Sequence, residues 1–229
     1  MVELHSPIHR RGFLGSVAKG AAALGLTGLA LPLTSNAAPT APVPGGSADA
    51  GFDAWLGKIT GTHKQVFDTP SWNSGFPFAW SRVFLMSNAE VGAKPSDVSV
   101  VIVIRHEAIP LGMQSALWEQ YKFGEAFKIK DGKSGVPLTM NPFYQPKEGA
   151  LPLPGMAIDE LQKDGVLIGI CNMALTVYSM KFAKELNRDA AEIKKEWVAG
   201  LLPGIQVLPS GVLAVNRAQE RGCTYCFAG

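Results

Sequence analysis

From His63 onward the chain alternates between two hydrophobic periods, which read as strand followed by helix. His63–Asp68 has the character of a first strand and is closed by Thr69-Pro70. Val98–Ile104 is an almost unbroken β-branched run, the pattern of a central parallel strand covered on both faces. Val166–Ile170 is a second fully apolar strand, and Ile205–Leu208 and Thr224–Phe227 are shorter ones. Helices are predicted over Ala79–Val91, with Val83, Phe84, Leu85 and Met86 as its core face, and over Gln114–Phe127, Ile158–Lys163, Asn172–Leu186 and Ala190–Leu201. A last helix runs from an N-cap at Ser210 to Arg221. Strands alternating with helices imply right-handed crossovers and a parallel sheet with helices on both sides. The expected fold is therefore α/β: a flavodoxin-like, three-layer, doubly wound sheet of about five mainly parallel strands. Its working groups should gather beyond the carboxyl ends of the strands.

One segment breaks the alternation. Lys128–Gly155 carries Pro137, Pro142, Pro146, Pro152 and Pro154 and shows no period. Leu138, Met140, Phe143 and Tyr144 give it something to bury, so a packed or partner-engaging arm and a variable surface loop both stand as readings.

The first residues have a different character. Arg10-Arg11 precedes Gly12-Phe13-Leu14 and a weakly apolar stretch, and Ser35-Asn36-Ala37 offers small residues for cleavage. This reads as a twin-arginine export signal over residues 1–37, cut near Ala37. Five glycines between Gly12 and Gly28 weaken the competing reading of an uncleaved membrane anchor. A Pro/Gly/Ala linker follows over residues 38–50, leaving residues 51–229 as one domain. The expected location is the periplasm, reached in folded form through the twin-arginine machinery.

Of 21 basic and 19 acidic residues, three and one respectively fall in the signal, so the mature chain carries 18 of each. A net charge near zero argues against nucleic acid as partner. Three cysteines are an odd number for an oxidising compartment, so at least one is unpaired within the chain.

Cys171 follows an apolar strand and precedes a helix. Amide N–H groups and the helix dipole favour a thiolate there, which points to a nucleophile. A small buried hydrophobe in a core turn is the competing reading. His106, in Arg105-His106-Glu107 at the end of the Val98–Ile104 strand, falls on the same edge and could hold a proton for the thiol or orient a ligand. A histidine bonded to loop backbone is the alternative, and Arg105 and Glu107 read as solvated or paired. Cys223-Thr224-Tyr225-Cys226 is a CxxC in a terminal strand, where a spacing of three sends the two side chains to opposite faces. Cys223 and Cys226 read either as a second thiol station or as one packing and one exposed cysteine. Phe227 stands where a c-type haem site needs histidine, and a single CxxC does not make a structural zinc site. No metal is expected. Gly132-Lys133-Ser134 lacks the first glycine of a phosphate loop, and no GxGxxG follows a strand. No cofactor is expected, although flavin mononucleotide needs no strict motif and stays open.

Three segments together resemble the DsrE/DsrF-like family. They are Val101–Pro110, Gly165–Leu175, and Leu202–Val212 continued by Ala218-Gln219 and Gly222–Tyr225. The resemblance covers roughly residues 98–227. It implies a flavodoxin-like fold, a homotrimer or hexamer, and sulfur relay through a persulfide on the cysteine after the third strand, which Cys171 matches. His106 matches a histidine often found after the second strand. The sulfur-relay members are cytoplasmic, and the export signal, the Lys128–Gly155 insertion and the terminal CxxC depart from their pattern. Two expectations follow. One is a periplasmic sulfur carrier or sulfur-transfer protein with a donor or acceptor protein as partner. The other is a non-catalytic periplasmic binding or assembly module of the same fold. Whether the chain is an enzyme stays open.

Overall fold

The computed structural model describes residues 47–229; the export signal and most of the linker expected from the sequence lie outside the described residues. Five strands form a single sheet: β1 (His63–Thr69), β2 (Val98–Ile104), β3 (Leu167–Cys171), β4 (Gln206–Leu208) and β5 (Thr224–Phe227). All are parallel, in the order β4-β3-β2-β1-β5. Helix α1 (Ser47–Leu56) precedes β1 and begins inside the stretch read as linker. Helix α2 (Phe76–Glu90) joins β1 to β2, and α3 (Ser115–Tyr121), α4 (Phe123–Ala126) and α5 (Ile158–Lys163) lie between β2 and β3. Helices α6 (Asn172–Leu186) and α7 (Ala190–Ala199) join β3 to β4, and α8 (Gly211–Glu220) leads to β5. This is the three-layer α/β arrangement expected, consistent with a flavodoxin-like fold.

The winding follows from crossover handedness. From β1 to β4 the chain steps in one direction, so its right-handed crossovers put α2–α7 on one face. The return to β5, beside β1, runs the other way and puts α8 on the opposite face with α1. Two cores result. Phe67, Val100, Ile102, Ile104, Ile168 and Ile170 point into the first, and Val66, Val101, Val103 and Leu208 into the second. β2 therefore reads as a continuous apolar run because both of its faces are covered. Because β3 and β4 are neighbours whose following helices go to opposite faces, a crevice opens between their carboxyl ends.

Two further features differ from the sequence expectation, and a third decides between alternatives that the sequence left open. Phe84 and Leu85 of α2 pack on the core, but Val83 and Met86 are exposed, in line with Phe76 and Trp80. The segment Gln114–Phe127 is not one helix: Lys122 adopts a left-handed φ of 49° and splits α3 from α4. Both Tyr121 and Phe123 can then point inward, where they stack at 5.7 Å and meet Phe182 and Trp197. Such ring pairs add about 0.5–1.5 kcal/mol each beyond burial, and they pin α6 to the core through Phe182.

The third concerns the Pro-rich segment, which packs against its own domain. Ile129 and Phe143 are buried in the first core, as is Met156 just after the segment. Buried Asn141 donates Nδ2 to the carbonyls of Leu111 (2.8 Å) and Met113 (2.9 Å), and its Oδ1 accepts the Phe143 N–H (3.0 Å). Gly124 lets the arm lie against α4, since a Cβ there would stand 2.1 Å from the Leu138 carbonyl oxygen.

Candidate functional site

Cys171 is both the last residue of β3 and the N-cap of α6. Its Sγ accepts the Ala174 N–H at 3.3 Å, taking the place that a serine or aspartate oxygen usually fills. The sulfur thus sits at the amino end of a 15-residue helix, on an amide that has no partner within the helix. The residue is only 6% exposed, but it lines an open groove of about 300 Å³. Arg105, His106, Met173, Val177, Tyr178 and Val212 are among the other walls. The groove is the crevice at the β3/β4 switch point, where ligands of such sheets bind. Ser210, the N-cap of α8, lies on its far side with its Oγ accepting the Leu213 N–H at 3.1 Å.

His106 shares this groove, as the sequence placed it. It opens a short 3₁₀ stretch (His106–Gly112) with a left-handed φ of 51°, a conformation that side-chain-bearing residues adopt at a cost and that gathers at functional sites. Its ring meets that of Tyr178 edge to face at 5.9 Å. Burial, followed by the nearby charge of Glu107, raises the Tyr178 hydroxyl above its ordinary value, so this wall of the groove is neutral.

A row of side chains crosses the carboxyl edge on the α8 side of the sheet. Asp68 of β1 is 3% exposed. Arg105, one residue past β2, binds it through both ends of the guanidinium: Nε donates to Oδ1 at 2.6 Å and Nη2 to Oδ2 at 2.8 Å. Tyr225 of β5 donates its hydroxyl to Oδ2 at 2.9 Å. The Asp68 hydrogen bonds hold the Arg105 guanidinium above its ordinary value. Ile104 pairs with Ile170, so the next residues, Arg105 and Cys171, are lateral neighbours. Gly211 at the start of α8 lies on the arginine stem, where a Cβ would come within 2.7 Å of Arg105 Cβ. Asp68 and Tyr225 were not singled out in the sequence, and Arg105 was read only as solvated or paired. The signal for them was a charge at the carboxyl end of an otherwise buried strand.

Cys223 and Cys226 are not brought to this groove. Cys226 sits beside Phe67, in the row of Ile102 and Ile168. That is three strand spacings from β3, about 14 Å sideways. Cys223 precedes Thr224, which pairs with Gln65, so it lies toward the amino end of the sheet. The two side chains enter opposite cores, as their spacing implied. Burial pushes both thiols above the ordinary cysteine value, which favours the unreactive neutral form. All three cysteines are free. Among the described residues no three His, Cys, Asp or Glu side chains converge as metal ligands would, and no helix is long and apolar enough to cross a membrane.

Fold and groove together define a doubly wound α/β domain with a cysteine thiol at its switch point. No family model matches the chain, and no curated protein matches it. Among solved structures, it is similar to a protein of unknown function, MTH1491 from Methanobacterium thermoautotrophicum. The identity is 14% and the TM-score 0.40, over 72% of this chain and 99% of that chain.

Proposed function

We propose that the chain is a thiol-based sulfur-transfer or sulfur-carrier protein of DsrE-like type, exported through the twin-arginine route, with Cys171 as the sulfur-bearing residue. The observation that carries this reading is the Cys171 sulfur at the N-terminus of α6, at the edge of a groove on the switch point. The step is a transpersulfidation. The Cys171 thiolate attacks the outer sulfur of a persulfide or polysulfide donor, and a new S–S bond forms. The donor's own S–S bond breaks, its electron pair leaves on the inner sulfur, and the donor is released as a thiolate. The outer sulfur's proton, when present, passes to that leaving thiolate, so nothing is oxidised or reduced overall. His106, on the groove wall, is the group that accepts or returns the proton.

The reading is tested by incubating the protein with inorganic polysulfide and locating added sulfur by peptide mass spectrometry. A gain of one sulfur on Cys171 supports it. No gain there, with the fold intact by circular dichroism, overturns it.

A second reading, a non-catalytic binding or assembly module, is favoured by two exposed apolar stripes. Met173, Val177 and Met180 expose an apolar stripe on α6, and Val212 extends it across the groove mouth. Phe76, Trp80, Val83 and Met86 expose another on α2. Faces of this kind suit self-association or a partner protein. Under this reading Cys171→Ala leaves association unchanged; under the first it abolishes sulfur uptake.

A further inference from the structure

We infer that the groove beside Cys171 selects small uncharged sulfur compounds with a hydrocarbon body, and that Met173, Val177 and Val212 hold that body. The inference rests on the Cys171 reading above and adds a substrate class to it: an organic hydropersulfide, R–S–SH, with an apolar R.

The groove presents carbon almost throughout. Met173 and Val177 stand four residues apart on one face of α6, and Val212 stands in the first turn of α8. They are 54%, 57% and 72% exposed, so apolar walls from two helices flank the Cys171 sulfur with nothing yet packed on them. The polar atoms nearby are turned elsewhere. Asp68, which lies outside the lining, draws the Arg105 guanidinium across to β1, and the arginine stem lies against Gly211. Ser210 Oγ accepts the Leu213 N–H, and Cys171 Sγ accepts the Ala174 N–H. Burial and then the charge of Glu107 hold the Tyr178 hydroxyl in its neutral form. Besides His106 on the lining, the charge felt at this wall is therefore the negative one of Glu107, which opposes an anion. At about 30 Å³ for a water-sized group, the 300 Å³ of the groove holds about ten non-hydrogen atoms, a short chain or one ring with its sulfurs. In the transfer step the Cys171 thiolate bonds to the outer sulfur of R–S–SH and the donor S–S bond breaks. The leaving R–S⁻ takes the outer sulfur's proton and departs as R–SH, uncharged like the donor, so the same walls suit both.

The test measures how fast Cys171 of the full chain reacts with methyl, propyl and butyl methanethiosulfonate, and with the anionic 2-sulfonatoethyl reagent. In each case the thiolate forms an S–S bond and methanesulfinate leaves. Rates are read on the Cys171 peptide and divided by those of N-acetylcysteine, which removes the intrinsic reactivity of each reagent. A fully buried methylene is worth up to about fourfold, so partial burial in an open groove should raise the normalised butyl-to-methyl ratio about tenfold. The sulfonatoethyl reagent should fall below propyl. In the double variant Met173→Gln/Val177→Asn the butyl-to-methyl ratio should return toward the free-thiol value; a general loss of access would slow both reagents and leave the ratio alone. A wild-type ratio equal to that of N-acetylcysteine, or an anionic reagent as fast as propyl, overturns the inference whether or not the variant folds. Sulfur uptake from inorganic polysulfide, which has no body to hold, is scored on the same wild-type sample. Chain-length dependence without sulfur uptake refutes sulfur transfer while supporting the apolar groove. Sulfur uptake without chain-length dependence does the reverse.

Discussion

Replacing Asn141 by alanine should loosen the Pro-rich arm and destabilise the whole domain. The side chain is 4% exposed and makes three hydrogen bonds to backbone: two to the Leu111 and Met113 carbonyls and one from the Phe143 N–H. Each such bond contributes about 1 kcal/mol net, and a buried partner left unsatisfied costs about 1–3 kcal/mol. Alanine removes all three, so the loss should be about 3 kcal/mol, a large part of the roughly 5–15 kcal/mol that holds a domain together. For a domain of this size that lowers Tm by about 6–12 °C. Asn141→Asp should be worse, because it trades the donor for a carboxylate oxygen facing two carbonyl oxygens. The assay is urea unfolding followed by tryptophan fluorescence, with trypsin cleavage at exposed Lys133 and Lys147 as a local readout. Both should become more sensitive together, because the arm is bolted to the 3₁₀ stretch that begins at His106. A loss under about 1 kcal/mol, with cleavage at the wild-type rate, would refute the reasoning and restore the surface-loop reading.

Other outcomes follow from the same structure. Arg188 and then Tyr121 hold the Glu196 carboxyl at about 2, below its ordinary 4.5, so this group stabilises the fold above pH 4.5 and the contribution is lost as pH falls toward 2. Glu196→Gln should therefore flatten the acid limb of a stability–pH curve between those values; an unchanged limb contradicts the assignment. Gly211→Ala should cost about 1–3 kcal/mol by overpacking against the Arg105 stem, read as a lower urea midpoint; an unchanged midpoint contradicts the close packing. Cys226→Ser should leave sulfur uptake at Cys171 at the wild-type level, since its thiol lies in another row of the sheet; lost uptake, measured by peptide mass spectrometry, would place Cys226 in the path.

Much of the fold was legible because β-branched runs and caps are local. Val98–Ile104 and Thr224–Phe227 appear as strands over the residues expected, and Ser210 caps α8 as its position implied. What escaped was decided by tertiary partners. Val83 and Met86 are spaced correctly for a core face, but periodicity does not say which face meets the sheet, and here Phe78 and Ser81 do. Lys122 is a good helix former, yet burying both Tyr121 and Phe123 requires the chain to break between them. The groove was half legible: Cys171 ends one recognisable strand and His106 follows another by two residues. The Arg105–Asp68–Tyr225 row was not, because its members stand 37 and 157 residues apart and meet only once β5 is known to lie beside β1.

The central claim is that the sulfur atom capping α6 is reactive and reachable. Residue-resolved mass spectrometry of the intact protein after polysulfide treatment tests it most directly. The account predicts added sulfur on Cys171, removable by a small thiol and absent from Cys223 and Cys226. Sulfur found only on the terminal pair, or on no cysteine of a folded sample, would contradict it.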